Sequence, residues 1–144
     1  MNELSTFVLE NDALSVRVSP VGAELQSVVC GGVERMWSGD PAVWGRRAPL
    51  LFPLIGRLRD GWYAHEGERV EAPMHGFCRD RLFSAEQVSD VRVRFETASD
   101  ERIRAVYPFD FRLTVDFTLE GSSIVKSHTV ENLGDVPLPF ELGG

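Results

Sequence analysis

The chain has 144 residues, of which 43% are hydrophobic and 26% charged, and its formal net charge is −7. This is the balance of one globular domain with a real core. The acidic charge argues against nucleic acid as a partner, because phosphate binding needs clustered Lys and Arg.

In chain order, Phe7 to Glu10, Leu14 to Val18 and Glu24 to Val29 read as the first strands. Leu14-Ser15-Val16-Arg17-Val18 alternates apolar and polar residues, the period of a strand with one wet face and one buried face. Asn11-Asp12 and Gly31-Gly32 are the turn signals between them. From Trp37 to Arg81 the alternation is lost, and prolines, glycines and aromatics crowd together. So many aromatics oppose disorder, so this stretch is expected to be an ordered loop region that packs on a sheet and builds a site. A helix-like turn is expected near Asp40 to Trp44, with Pro41 at a first helical position. The alternation returns at Leu82 to Val88, Val91 to Glu96, Leu113 to Leu119 and Ile124 to Glu131, separated by Ser89-Asp90 and Glu120 to Ser123. The pattern is all-β, a sandwich or barrel of antiparallel strands. Val136 to Gly144 reads as an extended apolar strand entering the interior. It looks more like a cut than a natural end, with exposed sheet edges open to self-association.

No apolar run approaches the roughly 20 residues of a membrane helix, and the start at Met1 to Ser5 lacks the regions of a signal peptide. Cys30 and Cys78 fit neither a CxxC nor a zinc spacing, and are expected as free thiols in a reducing cytoplasm. Cys78 lies in the His75 motif and could be a nucleophile. It lacks an evident activating partner, so a packing role is expected. The three histidines are too scattered for a metal site.

The chemistry concentrates in two loops. Pro53-Leu54-Ile55-Gly56-Arg57 places an arginine after a glycine that would let the backbone approach a ligand closely. Its guanidinium could hold vicinal sugar hydroxyls or a phosphate, or pair structurally with Asp60 or Asp80. Met74-His75-Gly76-Phe77-Cys78-Arg79-Asp80 sets His75 in a partly apolar context. There it could act as acid, base or hydrogen-bond donor, or simply cap a carbonyl. Arg79 and Asp80 are expected to pair and fix that loop. His65 is expected in a solvated hairpin turn, and His128 on a sheet face. Trp37, Trp44 and Trp62 could offer flat faces to a pyranose, although buried aromatics are more often core.

The ordered set Gly22-Ala23-Glu24-Leu25, Met36-Trp37-Ser38-Gly39-Asp40-Pro41, Trp44 and Ala48 to Arg57 resembles the aldose 1-epimerases, in the branch that includes the LacX-like proteins. The match continues through His75 to Asp80, Tyr107-Pro108-Phe109, Asn132 and Pro139 to Gly143. The resemblance implies a galactose mutarotase-like β-supersandwich that interconverts α and β anomers of a hexose or hexose phosphate, with no metal or organic cofactor. It implies that Arg57 binds the sugar and that His75 is the first of two active-site histidines. Arg79 and Asp80 join them as expected substrate-binding residues. In the family the Pro-Phe-x-Leu-Gly strand runs into a second histidine, and the catalytic glutamate comes near the end of a chain about twice as long. Residues 1–144 therefore read as the N-terminal portion of a single such domain, with little activity expected alone. A non-catalytic carbohydrate-binding module and an inactive fragment are the competing readings.

Overall fold

The computed structural model describes residues 5–144 and is built from antiparallel strands in three sheets. Met1 to Leu4, within the stretch read for a targeting signal, lie outside the described residues. The first sheet has the order β1 (Phe7–Glu10), β2 (Leu14–Ser19), β3 (Glu24–Cys30), β4 (Val33–Glu34). Asn11 shapes the β1–β2 turn by accepting from Ala13 N and Leu14 N. Gly31 and Gly32, both at positive φ, close the two-residue β3–β4 turn. Glu34 then clasps the hairpin, accepting from Val28 N, Arg35 N, Met36 N and the Ser27 hydroxyl. These bonds, led by the one from Ser27, lower its pKa to about 2.

The second sheet is a meander in which β7 (Ser84–Ser89) pairs with β8 (Arg92–Ala98), β8 with β9 (Phe111–Glu120), and β9 with β10 (Ser123–Asn132). β9 shows why the alternation was readable: Phe111, Leu113, Val115, Phe117 and Leu119 are buried, and the residues between them are not. Phe95 of β8 meets Phe117 at 6.0 Å, and Phe7 from the first sheet at 5.5 Å, both edge to face. Leu9, Val16, Val18, Val93 and Phe95 complete this inter-sheet core.

The seven expected strands match within two residues, while β4 and the two strands of the third sheet were not expected, and the differences have local causes. Leu82 forms only a bridge to Val21 before β7 begins. Between β8 and β9 lies one helical turn, α1 (Glu101–Arg104), which the sequence reading missed. Asp100 caps it by accepting from Ile103 N. The stretch from Asp40 to Trp44 closes a hydrogen-bonded turn through Val43 N and Trp44 N to Asp40 O, without becoming a helix. The irregular region holds the third sheet, β5 (Trp62–His65) with β6 (Glu68–Glu71), whose turn residues Glu66 and Gly67 both have positive φ. Expected solvated, His65 is instead half-buried against the Phe109 ring at 4.8 Å. The terminal segment is not a continuous strand. It docks by the paired bonds Leu51 N to Gly143 O and Gly143 N to Leu51 O.

The segment from Pro49 to Pro53 ties these parts together. Phe52 is fully buried and packs on Phe77, Tyr107, Phe111 and Phe140 at 5.4–6.3 Å. Its carbonyl accepts from Phe77 N and Cys78 N, so the His75 loop is anchored on it. A Cβ on Gly76 would lie 2.1 Å from that carbonyl oxygen, and Gly76 has φ 72°. Gly76→Ala is therefore expected to destabilise the fold by about 3 kcal/mol or more in chemical denaturation. Gly31→Ala, at similar φ but in open space, should lose only about 1–2 kcal/mol. Equal losses at the two sites would show that the close approach is not felt.

On β10, Lys126 and His128 share a face with Ile124 and Val130, on the side of the buried β9 residues. The ammonium of Lys126 lies 5.5 Å from the Phe117 ring centre, and the His128 Nε2 is buried without a protein partner among the described residues. Burial, and then the charge of Lys126, lower the pKa of His128 below its ordinary 6.5. Burial likewise lowers that of Lys126, opposed by Glu24. Folded His128 holds its proton less tightly than the unfolded chain does. Its contribution to stability is thus full above pH 6.5 and is lost as pH falls through the lowered folded value. Denaturation between pH 7 and 5 should show that decline, and His128→Gln should flatten it. An unchanged slope in the variant would exclude His128 as its source.

Candidate functional site

The Arg57 and His75 loops meet through a reciprocal pair of hydrogen bonds. Gly56 N donates to His75 Nδ1 at 2.9 Å, and His75 N donates to Gly56 O at 2.8 Å. His75 adopts φ 64°, an uncommon conformation for a non-glycine residue, beside Gly76 at 72°. Because Nδ1 is an acceptor here, the neutral ring carries its proton on Nε2. The half-buried imidazole thus keeps one free donor. The Arg57 side chain is exposed, with Nη2 3.9 Å from Met74 Sδ, and pairs with neither Asp60 nor Asp80. It remains available to a ligand beside the His75 loop.

Arg79 and Asp80 occupy the 3-10 turn Cys78–Asp80 and line a different place. Arg79 Nη2 donates to Met74 O at 3.1 Å, which ties it to the same loop. The expected Arg79–Asp80 pair is present but long, with Nε to Oδ2 at 3.7 Å. The tighter partner of Asp80 is Arg46, at 2.7 Å. Both residues line a cavity of about 570 Å³ with Ser19, Glu24, Trp44 and Arg46. Sequence reasoning passed over Arg46 and Glu24. Glu24 is a buried carboxylate whose Oε1 accepts from Arg47 N and Ala48 N, and that role leaves no local signature.

A second cavity, of about 360 Å³, lies between the β5–β6 hairpin, the 106–109 segment and residues 139–141. Its wall includes Leu54, Leu58, Tyr63, Phe77, Tyr107 and Phe140. The hydroxyls of Tyr63 and Tyr107 are spent on Val106 O and Pro139 O. That leaves an apolar surface poor in free donors, a weak match for a polyol. Neither cavity has Arg57 or His75 in its wall. The three tryptophans form no common platform: Arg69 lies over Trp62 at 5.0 Å, while the Trp37 indole donates to Trp44 O at 2.8 Å. Among the described residues, no group of three or more His, Cys, Asp or Glu is placed to hold a metal ion, and no helix is long and apolar enough to cross a membrane.

Comparison with known proteins places the chain in a family. The sequence model described as Aldose 1-epimerase matches residues 5–144, and the chain belongs to that family. The plasmid-encoded protein LacX of Lactococcus lactis subsp. lactis is 33% identical over 147 residues, covering 96% of this chain and 48% of LacX. A galactose mutarotase-like protein from Lactobacillus casei ATCC 334 superposes with a TM-score of 0.91 at 31% identity, over 96% of this chain and 48% of that one. A galactose mutarotase related enzyme from Lactobacillus acidophilus gives 0.88 at 34% identity, over 91% of this chain and 44% of that one. The chain spans about half the length of the curated relatives it matches.

Cys78, in the same loop, is fully buried, and burial pushes its thiol up to about 12, against a smaller opposing effect of Arg81. The thiolate that a nucleophile needs is therefore scarce at neutral pH. In the native state a thiol reagent such as DTNB should label Cys30, which is partly exposed, and spare Cys78 until denaturant is added. Rapid native labelling of both would overturn this assignment.

Proposed function

We propose that the chain supplies the Arg57 and His75 wall of a hexose site in an aldose 1-epimerase. The reading rests on the reciprocal Gly56–His75 hydrogen bonds, which hold the two loops together and leave the His75 Nε2–H as a free donor. Arg57 beside it offers a planar fork suited to two neighbouring hydroxyls, or to a phosphate if the hexose carries one.

The chemistry proposed is acid-base ring opening. A base takes the proton of the anomeric hydroxyl while an acid gives one to the ring oxygen. The bond from the anomeric carbon to the ring oxygen breaks as the carbonyl forms. Rotation of the aldehyde and reclosure, with the two proton transfers reversed, yield the other anomer. His75 contributes sugar contact and donor capacity. The base must be a carboxylate with a free oxygen near the anomeric centre. Glu141 stands beside this loop, but its Oε2 is held by Ile55 N at 2.8 Å, so it is not assigned that role. We therefore infer weak turnover by this chain alone.

Polarimetry of freshly dissolved α-galactose or α-glucose should show mutarotation close to the buffer rate. NMR titration with the same sugars should shift the His75 ring signals, and Arg57→Ala or His75→Ala should weaken binding at least about tenfold, the loss of roughly 1.4 kcal/mol. Acceleration far above buffer that disappears in His75→Ala would show that no further group is required. Absence of both binding and acceleration would defeat the reading.

A further inference from the structure

We propose that the cavity lined by Trp44, Arg46, Arg79 and Asp80 is a second saccharide site, distinct from the Arg57–His75 wall and suited to a neutral polyol. Its wall carries two cations, Arg46 and Arg79, and two anions, Asp80 and Glu24. Their formal charges cancel, so the cavity has no general pull on a phosphate or carboxylate. It presents interleaved donors and acceptors instead. Each hydroxyl of a sugar both donates and accepts, and so matches such a surface.

The individual groups bear this out. Asp80 is 64% exposed, and Arg46 occupies only its Oδ1. Its Oδ2, 3.7 Å from Arg79 Nε, is beyond hydrogen-bond reach and keeps its capacity to accept. Arg46 spends one guanidinium nitrogen on Asp80 and retains its other donors. Beneath them Arg79 is only 18% exposed and pinned by the Met74 carbonyl, so it acts as a fixed floor. Glu24 is committed to the backbone of Arg47 and Ala48, which holds the loop bearing Trp44 and Arg46 against β3.

Trp44 adds the apolar element. It is 48% exposed, yet its backbone is fixed by Trp44 N to Asp40 O and by the Trp37 indole on its carbonyl. A half-exposed indole on a fixed backbone, lining the same cavity as a carboxylate–guanidinium pair, fits the two faces of a pyranose: ring C–H groups on the aromatic, hydroxyls on the ion pair. Gly22, at φ 72°, allows the β2–β3 turn to lie against Arg79. A Cβ there would approach Arg79 O to 2.7 Å. The cavity is therefore assembled from three separate parts of the chain that the fold holds in place before a ligand arrives.

The test is a 1H–15N NMR titration of the whole chain with galactose, glucose, galactose 6-phosphate and inorganic phosphate. Saturable shifts are expected at the Trp44 indole and at the Asp80 and Arg46 amides with both neutral hexoses. Trp44→Ala and Asp80→Asn should each weaken those shifts about tenfold or more, while Arg57→Ala leaves them unchanged. Amide dispersion in each variant checks that it folds. Three outcomes would overturn the proposal: no saturable shift at these residues, their loss in Arg57→Ala, or displacement of hexose by inorganic phosphate. Shifts that persist at Trp44 but are absent at His75 would defeat the epimerase-wall reading alone, so the two sites fail separately.

Discussion

The backbone carbonyl of Phe52 is the point on which the arrangement turns. It accepts from Phe77 N and Cys78 N, while the Phe52 ring fills the aromatic centre between Phe77, Tyr107 and Phe111. One residue therefore joins the core to the loop that carries His75. The neighbouring Leu51 pairs with Gly143, so the terminal segment is registered against the same short stretch. Gly76 makes the close approach possible, and no other residue type could take its place without moving Phe52 or Pro53. The positions of His75, Arg79 and Asp80 all follow from this contact.

The sheets were legible because their residues follow a local rule. In β9 every second residue is buried, and a period of two needs no knowledge of partners. Lys126 and His128 were also visible as members of an alternating strand. Their consequence was not, because it depends on which face of β10 meets the core. The stretch from Trp37 to Arg81 obeyed no local rule. Its order comes from bonds between residues far apart in sequence, such as Glu24 to Ala48 and Arg46 to Asp80. The hairpin turn around His65 was readable there and the structure bears it out, but its short flanking strands, Trp62–His65 and Glu68–Glu71, carry no clear alternation of apolar and polar residues.

The same limits explain what happened to the four expected site residues. Arg57 and His75 were paired by sequence motifs, and the structure joins their loops. Arg79 and Asp80 follow His75 by four and five residues, close enough to look like one cluster. His75 itself and Gly76 have positive φ, and Arg79 and Asp80 sit in the 3-10 turn Cys78–Asp80, which together redirect the chain toward Trp44 and Arg46. Backbone reversals of this kind are set by Gly76 docking on Phe52, and proximity along the chain cannot report them.

The two cavities differ in how the fold has disposed of their polar atoms, and this difference decides what each can recognise. Around the aromatic cavity the tyrosine hydroxyls are consumed by backbone carbonyls, so the remaining surface rewards apolar contact. Around the other, Asp80 keeps an oxygen and Arg46 keeps donors after their mutual bond is made. A saccharide entering the first would lose water bonds without replacement, a cost of about 1–3 kcal/mol for each group left unpaired. Entering the second, it exchanges them for charge-assisted ones. What distinguishes the two is which donors and acceptors the fold has left free, and that accounting favours the Arg46–Asp80 cavity over the aromatic one for the saccharide site proposed above.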